Sequence, residues 1–125
     1  MKSNLLAWHK EGNITVPALL FSEYRNLNIN EYELVLILNI VTFLDKGHEF
    51  PTPDELSARM TISISDCNEM LRRLIQKGFI EIIDKYSDEG IRFEKYSVDP
   101  LWERLIDQFL KNNRKSKEIS NKAEE

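Results

Sequence analysis

The chain has 125 residues, of which 42% are hydrophobic and 30% are charged, and its net charge at pH 7 is −4. This balance is typical of one soluble globular domain, and the lack of an apolar run of about 18 residues predicts no membrane segment. The N-terminal residues lack the apolar stretch of a signal peptide, so we expect a cytoplasmic protein.

The cysteine, histidine and glycine residues argue against catalysis and metal binding. Cys67 is the only cysteine, which excludes an intrachain disulfide, and we expect it to be a small buried side chain. His9 and His48 are isolated, so a metal site lacks ligands. Each of the four glycines follows a helix or a hairpin strand instead of forming a phosphate-binding loop. We therefore predict a protein that is not an enzyme, with no catalytic residue, no metal and no cofactor.

The first predicted elements form a helix–strand–helix unit. Ser3 is placed to cap a short helix that Gly12 ends. The β-branched run in "NITV", residues 13–16, is typical of a short strand. Pro17 is favourable as the first residue of the following helix, "PALLFSEYRNL".

The next segment predicts the central helix of the core. Asn30 and Glu33 have the spacing of a capping box, and Gly47 ends the element. The residues between them are apolar almost all round the helix, which indicates burial on most sides.

Residues 52–77 predict two helices joined by a tight turn. "TPDE" at residues 52–55 is a capping box with proline at the first helical position, and it opens a helix to about Met60. Ser63 or Ser65 caps the second helix, which ends near Lys77. Its inward stripe at helical spacing consists of Cys67, Met70, Leu71, Leu74 and Ile75.

A hairpin and a final helix complete the predicted fold. "FIEIIDKY" and "IRFEKYSV" flank a turn at Gly90, and Asp99 with Pro100 starts an amphipathic helix. The fold class is therefore mainly α with a small β-hairpin (α+β): a winged helix-turn-helix with an added N-terminal helix–strand–helix and a C-terminal helix. We expect one domain over residues 1–112 and a disordered polar tail over residues 113–125.

The charge distribution opposes DNA reading by the second helix of the helix-turn-helix. Residues 1–110 hold 12 Lys and Arg against 18 Asp and Glu, whereas residues 111–125 hold 5 against 3. A duplex repels the first part and attracts only the tail. A DNA-binding transcriptional regulator therefore stays open as the less favoured alternative. Weak DNA contact is expected only from Arg72, Arg73, Lys111, Arg114, Lys115 and Lys117.

The apolar residues outside the minimal winged helix allow two interpretations. They can enlarge one core, or they can form a surface through which the chain self-associates as a homodimer or higher oligomer. We favour self-association. The candidate residues are Leu5, Trp8, Ile14, Val16, Leu20, Trp102, Ile106 and Phe109.

Three stretches of the sequence resemble one family. "FPTPDELSARMTISISDCNEMLRRLIQKGF", "GIRFEKYSVDPLW" and "TVPALLFSEYRNLNINEYELVLILNI" are similar to the N-terminal domain of the DnaD family, the primosomal replication-initiation proteins of low-GC Gram-positive bacteria. The resemblance covers roughly residues 1–110. Its most specific pieces are "FPTP", "IQKGF" and "FEKYS".

The resemblance implies a function in replication initiation. In that family the N-terminal domain is a winged helix that drives oligomerisation and docks onto the initiator DnaA. The family also implies the primosomal protein DnaB as a partner, a place at the nucleoid and origin, and recruitment of the helicase-loading machinery. DNA binding is implied mainly for a separate C-terminal region, so we expect this chain to be a fragment that ends in a linker.

The docking site for DnaA is predicted beside the wing. Phe50 stands at the edge of the helix-turn-helix, and Ile82 and Ile83 alternate faces on the first wing strand. Glu94 is placed to supply a charged contact at the rim. We predict Phe50, Ile82 and Glu94 as the docking patch. The alternative is that Phe50 and Ile82 fill the core.

Overall fold

The computed structural model describes the backbone of residues 2–124 and the side chains of residues 2–119. It is mainly helical with a two-stranded antiparallel hairpin, which confirms the predicted fold class. Within residues 2–124, no helix has both the length and the apolarity needed to cross a bilayer. The elements in chain order are α1 (Lys2–Glu11), α2 (Ala18–Glu23), a 3-10 turn (Tyr24–Leu27), α3 (Glu31–Asp45), α4 (Pro53–Ser57), α5 (Ile64–Gln76), β1 (Glu81–Tyr86), β2 (Arg92–Ser97) and α6 (Asp99–Glu124).

Helix α3 is the centre of the core and begins at the predicted capping box. The Asn30 side chain accepts from the Glu33 N–H at 2.8 Å, and the Glu33 carboxylate accepts from the Asn30 N–H at 3.0 Å. The outer side of α3 is less buried than predicted, since Tyr32 and Val35 are exposed. Fully buried side chains from five helices complete the core: Leu20, Leu36, Ile37, Ile40, Leu56, Leu74, Leu101 and Leu105.

Helices α4 and α5 and the turn between them form the predicted helix-turn-helix. Thr52 caps α4 in a capping box with Glu55. Ser63, not Ser65, caps α5, because its hydroxyl accepts from the Asp66 N–H at 3.0 Å. The predicted inward stripe of α5 is confirmed at its buried positions, Cys67, Met70, Leu71 and Leu74.

The hairpin of β1 and β2 is the wing. Its register pairs Ile82 with Tyr96 and Asp84 with Glu94, so these four side chains lie on one face of the hairpin. The Tyr96 N–H donates to the carbonyl of Glu49 at 2.9 Å, on the opposite edge of β2 from β1. This bond attaches the segment that leads into α4 to the wing.

The strand predicted at residues 13–16 is not formed, since residues 12–17 have no regular secondary structure. A strand needs a neighbouring strand to pair its N–H and C=O groups, and β-branched side chains alone do not provide one. Ile14 and Val16 are instead half-buried, and Val16 packs against the core. Pro17 consequently caps α2 from outside the helix and is not its first residue.

Helix α6 is longer than the sequence indicates. Its backbone is helical to Glu124, where a disordered tail is predicted from residue 113. The physical reason is composition: residues 113–124 contain no glycine or proline, and Lys, Glu, Arg and Ala are good helix formers. The division into a domain at 1–112 and a tail at 113–125 stays a prediction, and residue 125 lies outside the described residues.

Candidate interaction surfaces

The outward side of α5 carries fewer free cations than its sequence contains. Arg72 donates to both carboxylate oxygens of Glu69, at 2.9 and 3.1 Å, so its charge is compensated on the same helix. Arg73 is exposed and has no carboxylate within 4.0 Å among residues 2–119. An acidic residue stands in the first turn of the helix, where a groove reader makes base contacts. This surface therefore lacks the dense positive charge that phosphate binding needs.

The other predicted DNA contacts lie on a different element. Lys111, Arg114, Lys115 and Lys117 are exposed on the distal half of α6. In the described part of the chain, no hydrogen bond or ion pair joins them to α5. The six candidate cations are therefore divided between two elements, two on α5 and four on the distal half of α6.

The three residues of the predicted docking patch lie together on one face of the wing. The ring of Phe50 stacks on that of Tyr96, with centroids 4.5 Å apart and planes inclined by 26°. Ile82 is the cross-strand neighbour of Tyr96, and Glu94 is two residues along β2 on the same face. Phe50 and Ile82 retain 38% and 43% of their surface exposed, so they do not belong to the buried core. We call Phe50, Ile82, Glu94 and Tyr96 the wing patch.

The rim of the wing patch is mildly acidic. Arg92 donates to Asp84 at 2.8 Å and to Glu94 at 3.3 Å, so one cation lies between two carboxylates. The Asp84 carboxylate, by its hydrogen bond and its charge, raises the pKa of Arg92 above its usual range. The patch therefore has an apolar centre beside a rim with an excess of negative charge, which is the general layout of a protein interface.

Tyr96 is the residue of this patch that sequence reasoning missed. Its ring is buried beneath Phe50 and supports the position of Phe50. Burial raises the pKa of the Tyr96 hydroxyl, so the ring stays neutral at physiological pH. The contact joins two residues that are distant in the chain, and no periodicity in the sequence indicates it.

The predicted self-association residues separate into three groups. Leu5 and Trp8 are largely exposed on α1, which buries no side chain. Ile106 and Phe109 are exposed on α6, whereas Ile14, Val16 and Trp102 are half-buried. Leu20 has 0% exposure and is part of the core, so in this fold it cannot contribute to a self-association surface. The sequence alone indicates Leu20 as a candidate because it lies on a helix outside the minimal winged helix.

A polar contact that the sequence does not indicate attaches α6 to α2. The amide of Asn112 donates to both carboxylate oxygens of Glu23, at 3.0 and 3.1 Å, and Asn26 donates to the same carboxylate at 2.8 Å. Glu23 is buried, and these bonds compensate its charge. Asn112 thus holds the middle of α6 to the N-terminal part of the fold.

Neither a metal centre nor a reactive thiol is indicated. Among the described residues, no three His, Cys, Asp or Glu side chains are grouped so that they could hold a metal ion. Cys67 is buried as predicted, and desolvation raises the pKa of its thiol, which keeps it protonated at neutral pH.

The fold and its surfaces define a class: a winged helix-turn-helix domain with helical additions, in which both the wing and the additions carry exposed apolar side chains. The family model of the DnaD N-terminal domain matches residues 16–117, and the chain belongs to that family. It is 43% identical over 106 residues to the replicative helicase loading/DNA remodeling protein DnaD of Bacillus subtilis (strain 168), covering 85% of this chain and 46% of that protein. The chain thus spans less than half the length of this relative.

A solved structure supports the same assignment. The crystal structure of the N-terminal domain of the DnaD protein from Geobacillus kaustophilus HTA426 matches with a TM-score of 0.79 and 40% sequence identity. The match covers 94% of this chain and 98% of that one.

Proposed function

We propose that this chain is a non-enzymatic module of replication initiation that self-associates and docks onto the initiator DnaA, helping to recruit the helicase-loading machinery at origins. The observation that carries the docking proposal is the wing patch, where two accessible apolar side chains and a carboxylate lie on one face. Membership of the DnaD N-terminal domain family supports the replication role. The primosomal protein DnaB is a second proposed partner, and the proposed location is the cytoplasm, at the nucleoid.

The charge of the chain supports a protein partner over DNA for this module. Only part of the helix-turn-helix cation set is free, because Glu69 compensates Arg72. On the wing, Asp84 and Glu94 surround Arg92 in the same way. A surface in which arginines are already paired with carboxylates releases few counterions from a duplex and gains little affinity from it.

The self-association proposal is supported by the two terminal helices. Trp8 is 68% exposed on α1, and Ile106 is 54% exposed on α6. Large apolar side chains on helices that flank a complete core lower the free energy when a second subunit covers them.

The docking proposal is tested by capture of purified DnaA on the immobilised chain. Phe50→Ala and Ile82→Ala should each weaken binding by about tenfold or more, because buried apolar anchors dominate interface energies. Glu94→Lys should weaken it less. Phe93→Ala is the matched control, since Phe93 is a similarly exposed aromatic residue on the opposite face of the wing.

The outcome separates docking from folding. Cooperative thermal unfolding near the wild-type temperature is required of each variant, because Phe50 also stacks on Tyr96. Unchanged DnaA affinity in all three variants, or an equal loss in Phe93→Ala, contradicts the wing patch as the docking site.

A duplex-binding titration at low salt tests the regulator alternative. A transcription regulator predicts tight, sequence-selective binding that Arg72→Ala and Arg73→Ala abolish, with a steep dependence on salt. The proposed function predicts weak binding that is lost when residues 111–125 are deleted. Selective binding by a chain without these residues would refute the protein-interaction proposal for α5.

A further inference from the structure

A groove follows the side of α5 that faces the start of α3. Asp66, Glu69, Met70 and Arg73 line its first part, and Arg73 and Lys77 line its continuation. These five residues recur at helical spacing, so they lie along one side of the helix, and we call them the α5 stripe. The stripe is acidic at its N-terminal end and basic at its C-terminal end, and between them only 6% of the Met70 surface is exposed, at the floor of the groove.

The outward side of α6 carries a second stripe with the same succession of charge along its own helix. Glu103, Asp107, Leu110, Lys111 and Arg114 are all exposed, and the last four line a shallow groove. They lie on the side of the helix away from the core, and we call them the α6 stripe. From its N-terminal end, the α6 stripe is first acidic, then apolar and then basic.

The two stripes match in length and in charge when they run antiparallel. The first and last residues of each stripe are 11 positions apart, which corresponds to about 17 Å of α-helix at about 1.5 Å per residue. One register brings opposite charges together at four positions and places Leu110 against the small exposed part of Met70. The pairs in this register are Lys77 with Glu103, Arg73 with Asp107, Met70 with Leu110, Glu69 with Lys111 and Asp66 with Arg114.

We propose that the α6 stripe of one copy of this chain docks antiparallel on the α5 stripe of a second copy. The inference rests on the self-association proposed above and deepens it by naming the surface that receives α6. If each copy both gives and receives α6, the contact closes into a two-fold dimer, and otherwise it extends to larger assemblies.

Arg73, Asp107 and Arg114 are the stripe charges that are most available for such a contact. Among residues 2–119, no oppositely charged group lies within 4.0 Å of Arg73, Asp107 or Arg114. The Lys77 ammonium already donates to the carbonyl of Asn28 at 3.3 Å and lies 4.0 Å from the Glu33 carboxylate, so its position contributes less. Glu69 is shared with Arg72, so this position contributes least.

Within one chain, α6 contacts α2 and the C-terminal end of α5 through residues outside its stripe. Asn112 attaches it to Glu23 on α2, and Arg104 donates to the carbonyl of Lys77 at 3.1 Å. Both contacts use the inner or lateral sides of α6 and leave its stripe free. No ion pair joins the two stripes in the described part of the chain.

Charge exchange at the central ion pair tests the proposal. Arg73→Glu alone and Asp107→Arg alone should each raise the dissociation constant for self-association by about tenfold, because each change places like charges opposite one another. An equimolar mixture of the two variants should associate to within about threefold of the wild type, since position 73 of one variant and position 107 of the other again carry charges that match across the interface. In that pairing, the unaltered Arg73 faces the unaltered Asp107, and the two substituted side chains face one another. Sedimentation equilibrium of the full chain at low salt measures all four samples.

Two matched controls carry the same changes of charge away from the stripes. Lys85→Glu alters an exposed position of β1, and Glu89→Lys alters the exposed turn of the wing. Neither should change the dissociation constant by more than about twofold, since exposed charges that are not paired across an interface contribute little. Circular dichroism should show wild-type helix content for every variant, because all of these side chains are exposed.

The possible results distinguish the two proposals. Wild-type chain that stays monomeric at every concentration removes the self-association of the proposed function, and this inference with it. Wild-type chain that associates but is insensitive to both stripe variants removes only the stripe contact. Weakening by both variants without recovery in the mixture also refutes the register.

Discussion

Helices α5 and α1 both contain large apolar side chains and use them in opposite ways. α5 buries Cys67, Met70, Leu71 and Leu74 at helical spacing, while α1 buries none of its apolar residues. The difference lies in spacing: the apolar residues of α1 are clustered at positions 5–8 and do not form a long stripe that the core could accept. An exposed pair such as Lys46 with Glu11, at 2.9 Å, contributes little to attaching α1. Apolar content alone therefore does not show whether a helix buries its apolar side chains within its own chain.

Removal of a core leucine from α5 should have the largest effect on stability. Leu74→Ala should lower the free energy of unfolding by about 2–5 kcal/mol, because the side chain is completely buried and a cavity remains. Leu5→Ala on α1 should change it by less than about 0.5 kcal/mol in dilute protein. Urea unfolding of both variants measures the contrast. Equal losses would show that α1 is packed as tightly as α5.

The exposed apolar side chains of α1 also predict an effect on self-association, which Trp8 tests. Trp8→Ala should leave monomer stability unchanged and weaken self-association by about tenfold or more, as large aromatic side chains dominate interfaces. Light scattering over a dilution series measures the effect. An association constant equal to that of the wild type would exclude Trp8 from the self-association surface.

Asn112 tests how α6 is attached to the core. Asn112→Ala should destabilise the domain by about 1–3 kcal/mol, because the buried Glu23 carboxylate loses two of its hydrogen bonds. Amide exchange should accelerate in α6 more than in α5. Gln108→Ala is a nearby comparison on the same helix, since the Gln108 amide donates to Asn112 and not to the carboxylate. Uniform acceleration in both helices would contradict a local attachment.

The cap of α5 predicts a smaller effect. Ser63→Ala should cost about 1 kcal/mol, because the hydroxyl accepts from the Asp66 N–H. Ser65→Ala should be almost neutral, although the sequence presents both serines as possible caps. The difference between their thermal unfolding temperatures is the measurement, and a larger loss for Ser65→Ala would reverse the assignment.

Acid pH should produce the smallest effect, at the start of the helix-turn-helix. Hydrogen bonds from the Thr52 backbone N–H, and then from His48, hold the pKa of Glu55 below its ordinary value of 4.5. A lowered carboxyl pKa stabilises the fold above the ordinary pKa, and this contribution is lost as the pH falls through the folded-state value. Unfolding of Glu55→Gln should therefore depend less on pH than that of the wild type once the pH falls below the ordinary pKa. If the free energy of unfolding fell equally steeply with falling pH in Glu55→Gln and in the wild type, the prediction would be contradicted.

Whether an element could be predicted from the sequence depends on how far apart in the chain its interacting residues lie. The capping boxes at Asn30 and Thr52 were predictable because both partners are three residues apart, and the wing because its strands are joined by a short turn. The strand predicted at residues 13–16 was wrong, since pairing depends on a distant neighbour. The burial of Leu20 likewise depends on elements far along the chain.

The candidate site shows the same division. Local pattern and the docking that the family resemblance implies predict Phe50, Ile82 and Glu94, and the structure places them on one face. Their role in docking stays a prediction. The Tyr96 ring beneath Phe50 could not be predicted, because a stacking contact between distant residues leaves no periodic signal in either segment.

By itself, the sequence determined where most helices begin and which strands pair into the wing, because propensity, capping and turn chemistry act over a few residues. The tertiary structure alone decided which apolar side chains remain outside the core, and how the stripes of α5 and α6 are exposed. A side chain is buried when elements that are distant in the chain pack over it. The residues next to it in the sequence do not indicate whether they do.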